Sequence, residues 1–215
     1  MSKMITPLED LKIESLAFGT PKKTKDHYAI SLFTGEEKQR IIIQTPKLKL
    51  NADLSLEPMT FADMTCSNTE FIESIKQVDH AMVSLIKANR ETWFPDKNID
   101  DTFVEVGQMS SVLMKNVLRL RVPPKVDVFD SAKNQLTELT HIDAGTSVRC
   151  ILHLSGMWFT ATRWGLSWNV VQLKTYPKEK PKTVYSGYLF PDEDDECSNT
   201  SIVEDIDTVT PPPGV

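Results

Sequence analysis

Apolar and polar residues alternate at strand spacing along much of this chain, and the longest such stretch covers residues 148–176. Val148, Cys150, Leu152 and Leu154 fall on one face there, with Arg149, Ile151, His153 and Ser155 on the other. After a break at Gly165, Val171 and Leu173 oppose Trp168, Gln172, Lys174 and Tyr176. The pattern predicts a long β-hairpin turning near Gly165. Shorter strands are expected at residues 11–16, 28–33, 40–44 and 118–122, the third β-branched and buried on both faces. Residues 48–56 alternate around Asn51-Ala52-Asp53 and predict a small hairpin.

Only one segment has convincing helical periodicity. Ser67 and Glu70 have the spacing of a capping box, and Phe71, Ile75, Val78, Met82, Leu85 and Ile86 follow as an apolar stripe. Glu73, Lys76, Asp79 and Lys87 are expected to face away, and Pro95 ends the helix at or before Phe94. Many short strands with one inserted helix over about residues 67–93 predict a mainly β protein built as an OB-type barrel. Residues 1–8 read as a loose end, 9–177 as a single domain, and 178–215 as a charged linker and disordered acidic tail.

Composition changes this picture in two ways. The net charge of −6 is unevenly placed: Asp192, Glu193, Asp194, Asp195, Glu196, Glu204, Asp205 and Asp207 lie in residues 191–215, which contain no Lys or Arg. Residues 1–190 alone carry +2, so the chain is a mildly basic body with an acidic tail. No apolar run reaches the roughly 18 residues of a membrane span. The opening MSKMITPLED has no apolar secretory core. Cys66, Cys150 and Cys197 are odd in number and far apart, which fits a reducing, intracellular compartment. A soluble protein with no membrane partner is expected.

Catalytic signatures are missing from the sequence: there is no phosphate-binding loop, dinucleotide fingerprint, HExxH or GxSxG. His27, His80, His141 and His153 show no metal-ligand spacing, and Cys150 reads as a small buried hydrophobe. No enzyme, metal or cofactor is expected. What the sequence does offer is Trp158, Trp164 and Trp168 within eleven residues, interleaved with Arg163 and followed by Lys174. Flat rings on which bases stack, beside cations that track phosphates, are the chemistry of single-stranded nucleic-acid binding. Arg119, Arg121, Lys125 and Arg149 extend the positive charge on neighbouring strands. Trp158 and Trp168 fit a barrel core as well as they fit a stacking platform, whereas Trp164, beside Arg163 and Gly165, is expected to be exposed. An RNA-binding OB module, or an interaction protein whose tryptophans are all core, remains open on these residues.

The run Leu154-Ser155-Gly156-Met157-Trp158-Phe159, then Trp164-Gly165-Leu166-Ser167-Trp168 and Val170-Val171-Gln172-Leu173-Lys174, resembles the C-terminal strands of a known family. It is that of the single-stranded DNA-binding proteins of large nucleocytoplasmic DNA viruses, similar in turn to the phage replication type. Leu118-Arg119-Leu120-Arg121 and Val126-Asp127-Val128-Phe129-Asp130 extend the likeness, which covers about residues 115–176. The resemblance implies an OB-fold with an inserted helix and sequence-independent binding of single-stranded DNA. It also implies a role in viral genome replication, repair or recombination, in the host cytoplasm or nucleus. From the phage type it implies that the acidic tail, Asp192 to Asp207, contacts replication proteins, competes with DNA and supports a homodimer.

Overall fold

A computed structural model describes residues 5–97 and 99–177. Its strands, in chain order, are β1 (Leu16–Phe18), β2 (Lys22–Lys23), β3 (Tyr28–Thr34), β4 (Ile41–Gln44), β5 (Leu48–Leu50), β6 (Leu54–Ser55) and β7 (Thr60–Cys66). Helices α1 (Thr69–Trp93) and α2 (Asp101–Val106) follow, and then β8 (Gln108–Met109), β9 (Val112–Leu113), β10 (Val117–Val122) and β11 (Asp127–Phe129). β12 (His141–Ile142), β13 (Ser147–Phe159) and β14 (Trp164–Tyr176) complete the order.

Five of these strands close into a ring. β5 pairs with β7, β7 with β10, β10 with β14, β14 with β13, and β13 returns to β5. Every pairing is antiparallel except β10–β14, which is parallel through Arg121 and Asn169. Numbered by sequence within the ring, the order is first, second, third, fifth, fourth, which is that of an OB barrel, so the mainly β architecture with one long helix is as expected. The alternation of the strands fills the barrel: Ala62, Met64 and Cys66 of β7, Leu118, Leu120 and Val122 of β10, and Val148, Cys150, Leu152 and Leu154 of β13 are all buried. β3 and β4 lie alongside β13 and widen the sheet. Burial pushes the Cys150 thiol up to about 12, as befits a core hydrophobe.

Helix α1 differs from its sequence pattern in three respects. Asn68, not Ser67, caps it, accepting the Phe71 N–H at 2.7 Å. Its buried stripe is Ile72, Ile75, Val78, Met82 and Ile86, with Phe71 only half-buried. Asp79, expected to face solvent, is 5% exposed and packed inward. A second helix, α2, has no counterpart in the sequence pattern; Asp100 caps it, and Lys87 and Arg90 of α1 pair with its Glu105 and Asp101.

Other local expectations change for reasons of partnering. Residues 48–56 do not fold back on themselves, because β5 pairs with β7 and β13 while β6 pairs with β12. Within residues 11–16, Ile13–Ser15 form a 3-10 turn and Leu16 opens β1. Of the loose end expected over residues 1–8, residues 5–8 are described: Thr6 N–H donates to Ile42 O at 2.9 Å and Leu8 is buried. The linker and acidic tail expected over residues 178–215 lie outside the described residues. Among the described residues no helix is long and apolar enough to cross a membrane.

Candidate nucleic-acid interface

β7 and β10 are direct neighbours in the barrel, with Phe61 opposite Arg121 and Asp63 opposite Arg119. Ala62, Leu118 and Leu120 point into the core, so the period of two sends Phe61, Asp63, Arg119 and Arg121 to the outer side. Phe61 is 59% exposed, an unusual position for a benzyl ring, and among the described residues none covers it. A groove of about 440 Å³ runs over this surface. β7, β10 and the segment before β7 contribute Met59, Phe61, Arg119 and Arg121, the β13–β14 hairpin contributes Trp158, Thr160, Leu166, Ser167 and the deep-set Trp168, and His27 completes the lining.

The two arginines are not equivalent. Arg119 is held by a bidentate pair, its Nε and a terminal nitrogen donating to the two oxygens of Asp63 at 2.8 Å each. The same hydrogen bonding is the main reason the Asp63 carboxyl titrates below its ordinary range. The pair therefore contributes stability above the ordinary carboxylate range, and loses it as pH falls through the lowered value. Arg121 has no ion-pair partner among the described residues, which leaves it as the groove's available cation. If Arg121 meets a phosphate, Arg121→Ala should lower affinity for all sequences alike and make the salt dependence shallower by about 0.7 in log–log slope. Binding titrations at several salt concentrations measure this.

The tryptophans divide by depth. Trp158 is half-buried and lies over Gly165, where an added Cβ would stand 2.7 Å from the indole Cζ2. Glycine at 165 is thus a close-approach residue inside β14, not the turn that the sequence pattern suggests. The turn falls at residues 160–163, closed by Thr160 Oγ1, which donates to Arg163 O at 3.0 Å and accepts Arg163 N–H at 3.1 Å. Trp168 floors the groove at 3% exposure, its indole N–H donating to Ser111 Oγ at 2.8 Å. Ser111 Oγ donates in turn to Asp79 Oδ1 at 2.6 Å, and Ser111 N–H to Asp79 Oδ2 at 2.7 Å. The inward Asp79 therefore anchors the groove floor to α1; burial raises its pKa against the opposing pull of these donors.

Trp164 is the principal correction. Expected to be the exposed member of the three, it has 0% exposure, and its N–H donates to Val104 O at 2.8 Å. The turn ends at Arg163, two residues before Gly165, so Trp164 opens β14 pointing inward and stacks on Phe159 at 6.3 Å between ring centroids. It is a core residue and offers no face to a ligand.

The remaining sequence candidates separate in space. Arg163 is exposed at the turn with its guanidinium against Met109 Sδ, outside the groove lining. Lys125 lies in the connection after β10 with φ 58°, and it too is outside the groove. Arg149 and Lys174 stand opposite each other at the far end of the β13–β14 hairpin. Phe61 and Met59 were not among the sequence candidates. TFADMTC carries the signal for Phe61, since it alternates with a large aromatic on its polar side.

A model of the family of unknown function DUF5871 matches residues 53–192. No curated protein matches the chain. Among solved structures, the single-stranded DNA-binding protein gp2.5 of bacteriophage T7 is 10% identical, with a TM-score of 0.46 over 71% of this chain and 100% of that one. The single-stranded DNA-binding protein of bacteriophage Enc34 is 12% identical, with a TM-score of 0.43 over 78% of this chain and 93% of that one. Its complex with single-stranded DNA gives a TM-score of 0.44 at 12% identity, over 76% of this chain and 98% of the other.

Proposed function

We propose that this chain, which belongs to the DUF5871 family, is a non-enzymatic protein that binds single-stranded DNA without sequence preference. The observation that carries the reading is the outer face of β7 and β10, where the exposed Phe61 ring lies beside Arg121, with Trp158 across the groove. OB barrels take oligonucleotides on the face of their second and third strands and on the loops after the first and fourth. In this barrel those are β7 and β10, the segment carrying Met59, and the turn at residues 160–163. A splayed base on Phe61 and another on Trp158 would each contribute about 1–3 kcal/mol, with Arg121 neutralising a phosphate. Nothing in this set reads a base edge in a fixed geometry, which is why sequence independence is proposed. The sequence resemblance implies service in viral genome replication, repair or recombination.

Tryptophan emission supplies the test, because Trp158 is the half-buried indole of the groove while Trp164 is enclosed. Titration with single-stranded DNA should quench emission, and Trp158→Phe should remove most of the change. Duplex DNA of the same sequence should quench little at moderate salt. Stronger quenching by RNA than by DNA would reassign the ligand to RNA, and indifference to all three would overturn the reading.

The acidic residues Asp192 to Glu196, Glu204, Asp205 and Asp207 enter the same proposal as a competitor for the groove, since clustered carboxylates mimic a phosphate backbone. Replacing these eight by their amides in the full chain should tighten binding and steepen its salt dependence. Unchanged affinity counts against competition. Recruitment of replication proteins and homodimerisation through this segment are proposals of the same resemblance, read by co-purification and by sedimentation of the same amide variant.

A further inference from the structure

None of the chain's 30 acidic residues falls between Ser147 and Tyr176, the two paired strands and their turn. The outward residues of this hairpin form a continuous non-acidic strip. It runs from Trp158 and Ser167 past Ser155 and Asn169, which share a hydrogen bond of 2.6 Å, to Arg149 and Lys174. Arg149 and Lys174 are direct cross-strand partners, so both side chains leave the same face. Like charges placed opposite one another in a sheet destabilise it, and an anion between them removes that cost.

Further cationic and aromatic groups converge there. Lys47 Nζ lies 4.7 Å from the Tyr176 ring centroid, and Lys174 Nζ lies 5.7 Å from it. Phe129 is the register partner of Lys174 on the other side. Between them is a hollow of about 250 Å³ bordered by Gln44, Phe129, Arg149, Gln172, Lys174 and Tyr176. Among the described residues Arg149, Lys174 and Lys47 have no ion-pair contact. Two nearby carboxylates are engaged elsewhere: Asp130 accepts from Asn134 while feeling Lys174, and Asp127 accepts from Gln135. Glu9 and Glu70 line an adjoining hollow that shares Gln44 and Arg149 with this one, and neither pairs with Arg149. Rings for a base, cations for a phosphate and amides for base edges make up the chemistry of a single nucleotide.

We propose that this hollow is a second nucleotide contact, so that one single strand lies along the hairpin from the groove to Arg149, Lys174 and Tyr176. The proposal rests on the nucleic-acid reading of the groove. From Trp158 to Arg149 the strand β13 covers about 30 Å at roughly 3.3 Å per residue, so a short oligonucleotide fills the groove without reaching the hollow.

The experiment compares oligo(dT) of about 4 and about 16 nucleotides, the two ends of OB site sizes, on the full chain. The variants are Arg149→Ala with Lys174→Ala, and Arg121→Ala. The double variant should lose about tenfold in affinity for the long strand and show a log–log salt slope shallower by about 1.4, two single-strand phosphate contacts. It should bind the short strand as the unmodified chain does, whereas Arg121→Ala should weaken both. Its melting temperature should hold or rise, because a like-charge pair has gone. Unaltered binding of the long strand by the double variant, or equal loss for both lengths, overturns the hollow while leaving the groove. A loss that vanishes when the eight tail acids are amides assigns the hollow to the acidic segment and also overturns it. Failure of the unmodified chain to bind either length overturns the groove and the hollow together.

Discussion

Phe61→Ala should weaken single-stranded DNA binding by about 5- to 150-fold, the loss of one stacked base at about 1–3 kcal/mol. The ring is 59% exposed, so its removal takes little apolar surface from the core. Its chain neighbours Ala62 and Met64 supply the buried side of β7, and the Arg119–Asp63 pair next along the face does not depend on it. The melting temperature should therefore stay within a degree or two while the affinity falls. Phe61→Tyr keeps the π face and should bind nearly as the unmodified chain does. Anisotropy of a labelled oligonucleotide together with thermal unfolding measures both sides. An unchanged affinity in Phe61→Ala would remove the groove's main stacking surface and sink the assignment of this face.

Trp164→Ala should do the reverse. Trp164 has no exposed surface, stacks on Phe159, and through it joins the ring cluster of Phe94 and Tyr28. Emptying that volume should cost about 3–5 kcal/mol. In a domain of this size the melting temperature should drop by about 6–20 °C. Trp164→Phe fills most of the space but leaves the Val104 carbonyl without its donor, a cost of about 1–3 kcal/mol. The molecules of either variant that remain folded should bind DNA with ordinary affinity, since the indole meets no ligand. Chemical denaturation followed by binding at a temperature below the transition separates the two quantities. A binding defect in a fully folded Trp164→Phe protein would return this residue to the interface.

These two expectations exchange the roles that aromatic content alone assigns. In the sequence, Trp164 sits among Arg163 and Gly165 and looks like the tip of a hairpin, whereas Phe61 looks like one apolar residue in a short segment. The misplaced turn is the source of the first error. Gly165 reads as a turn glycine, yet it is needed because the Trp158 ring crosses directly over its Cα. Once the turn moves to residues 160–163, the inward and outward faces of β14 exchange at Trp164. The helix shows the same limit on a smaller scale. Its apolar stripe placed Ile75, Val78, Met82 and Ile86 correctly, but Asp79 is inward because Ser110 and Ser111 of a distant segment satisfy its carboxylate.

The sequence by itself determined the alternation of Val148, Cys150, Leu152 and Leu154, the single long helix, the mainly β class, and the separation of an acidic segment from a mildly basic body. These follow from local periodicity and composition, which one chain segment carries without reference to any other. Only the tertiary structure decided which rings face outward and which cations gather. Phe61 meets Arg121 because β7 and β10 pair across a helix, and Arg149 meets Lys174 because β13 and β14 pair along a ladder whose register shifts twice before reaching them. Strand register is a relation between distant segments, and a shift of one residue carries each side chain to the opposite face. The groove and the hollow are both products of register, and for that reason neither was legible in the sequence.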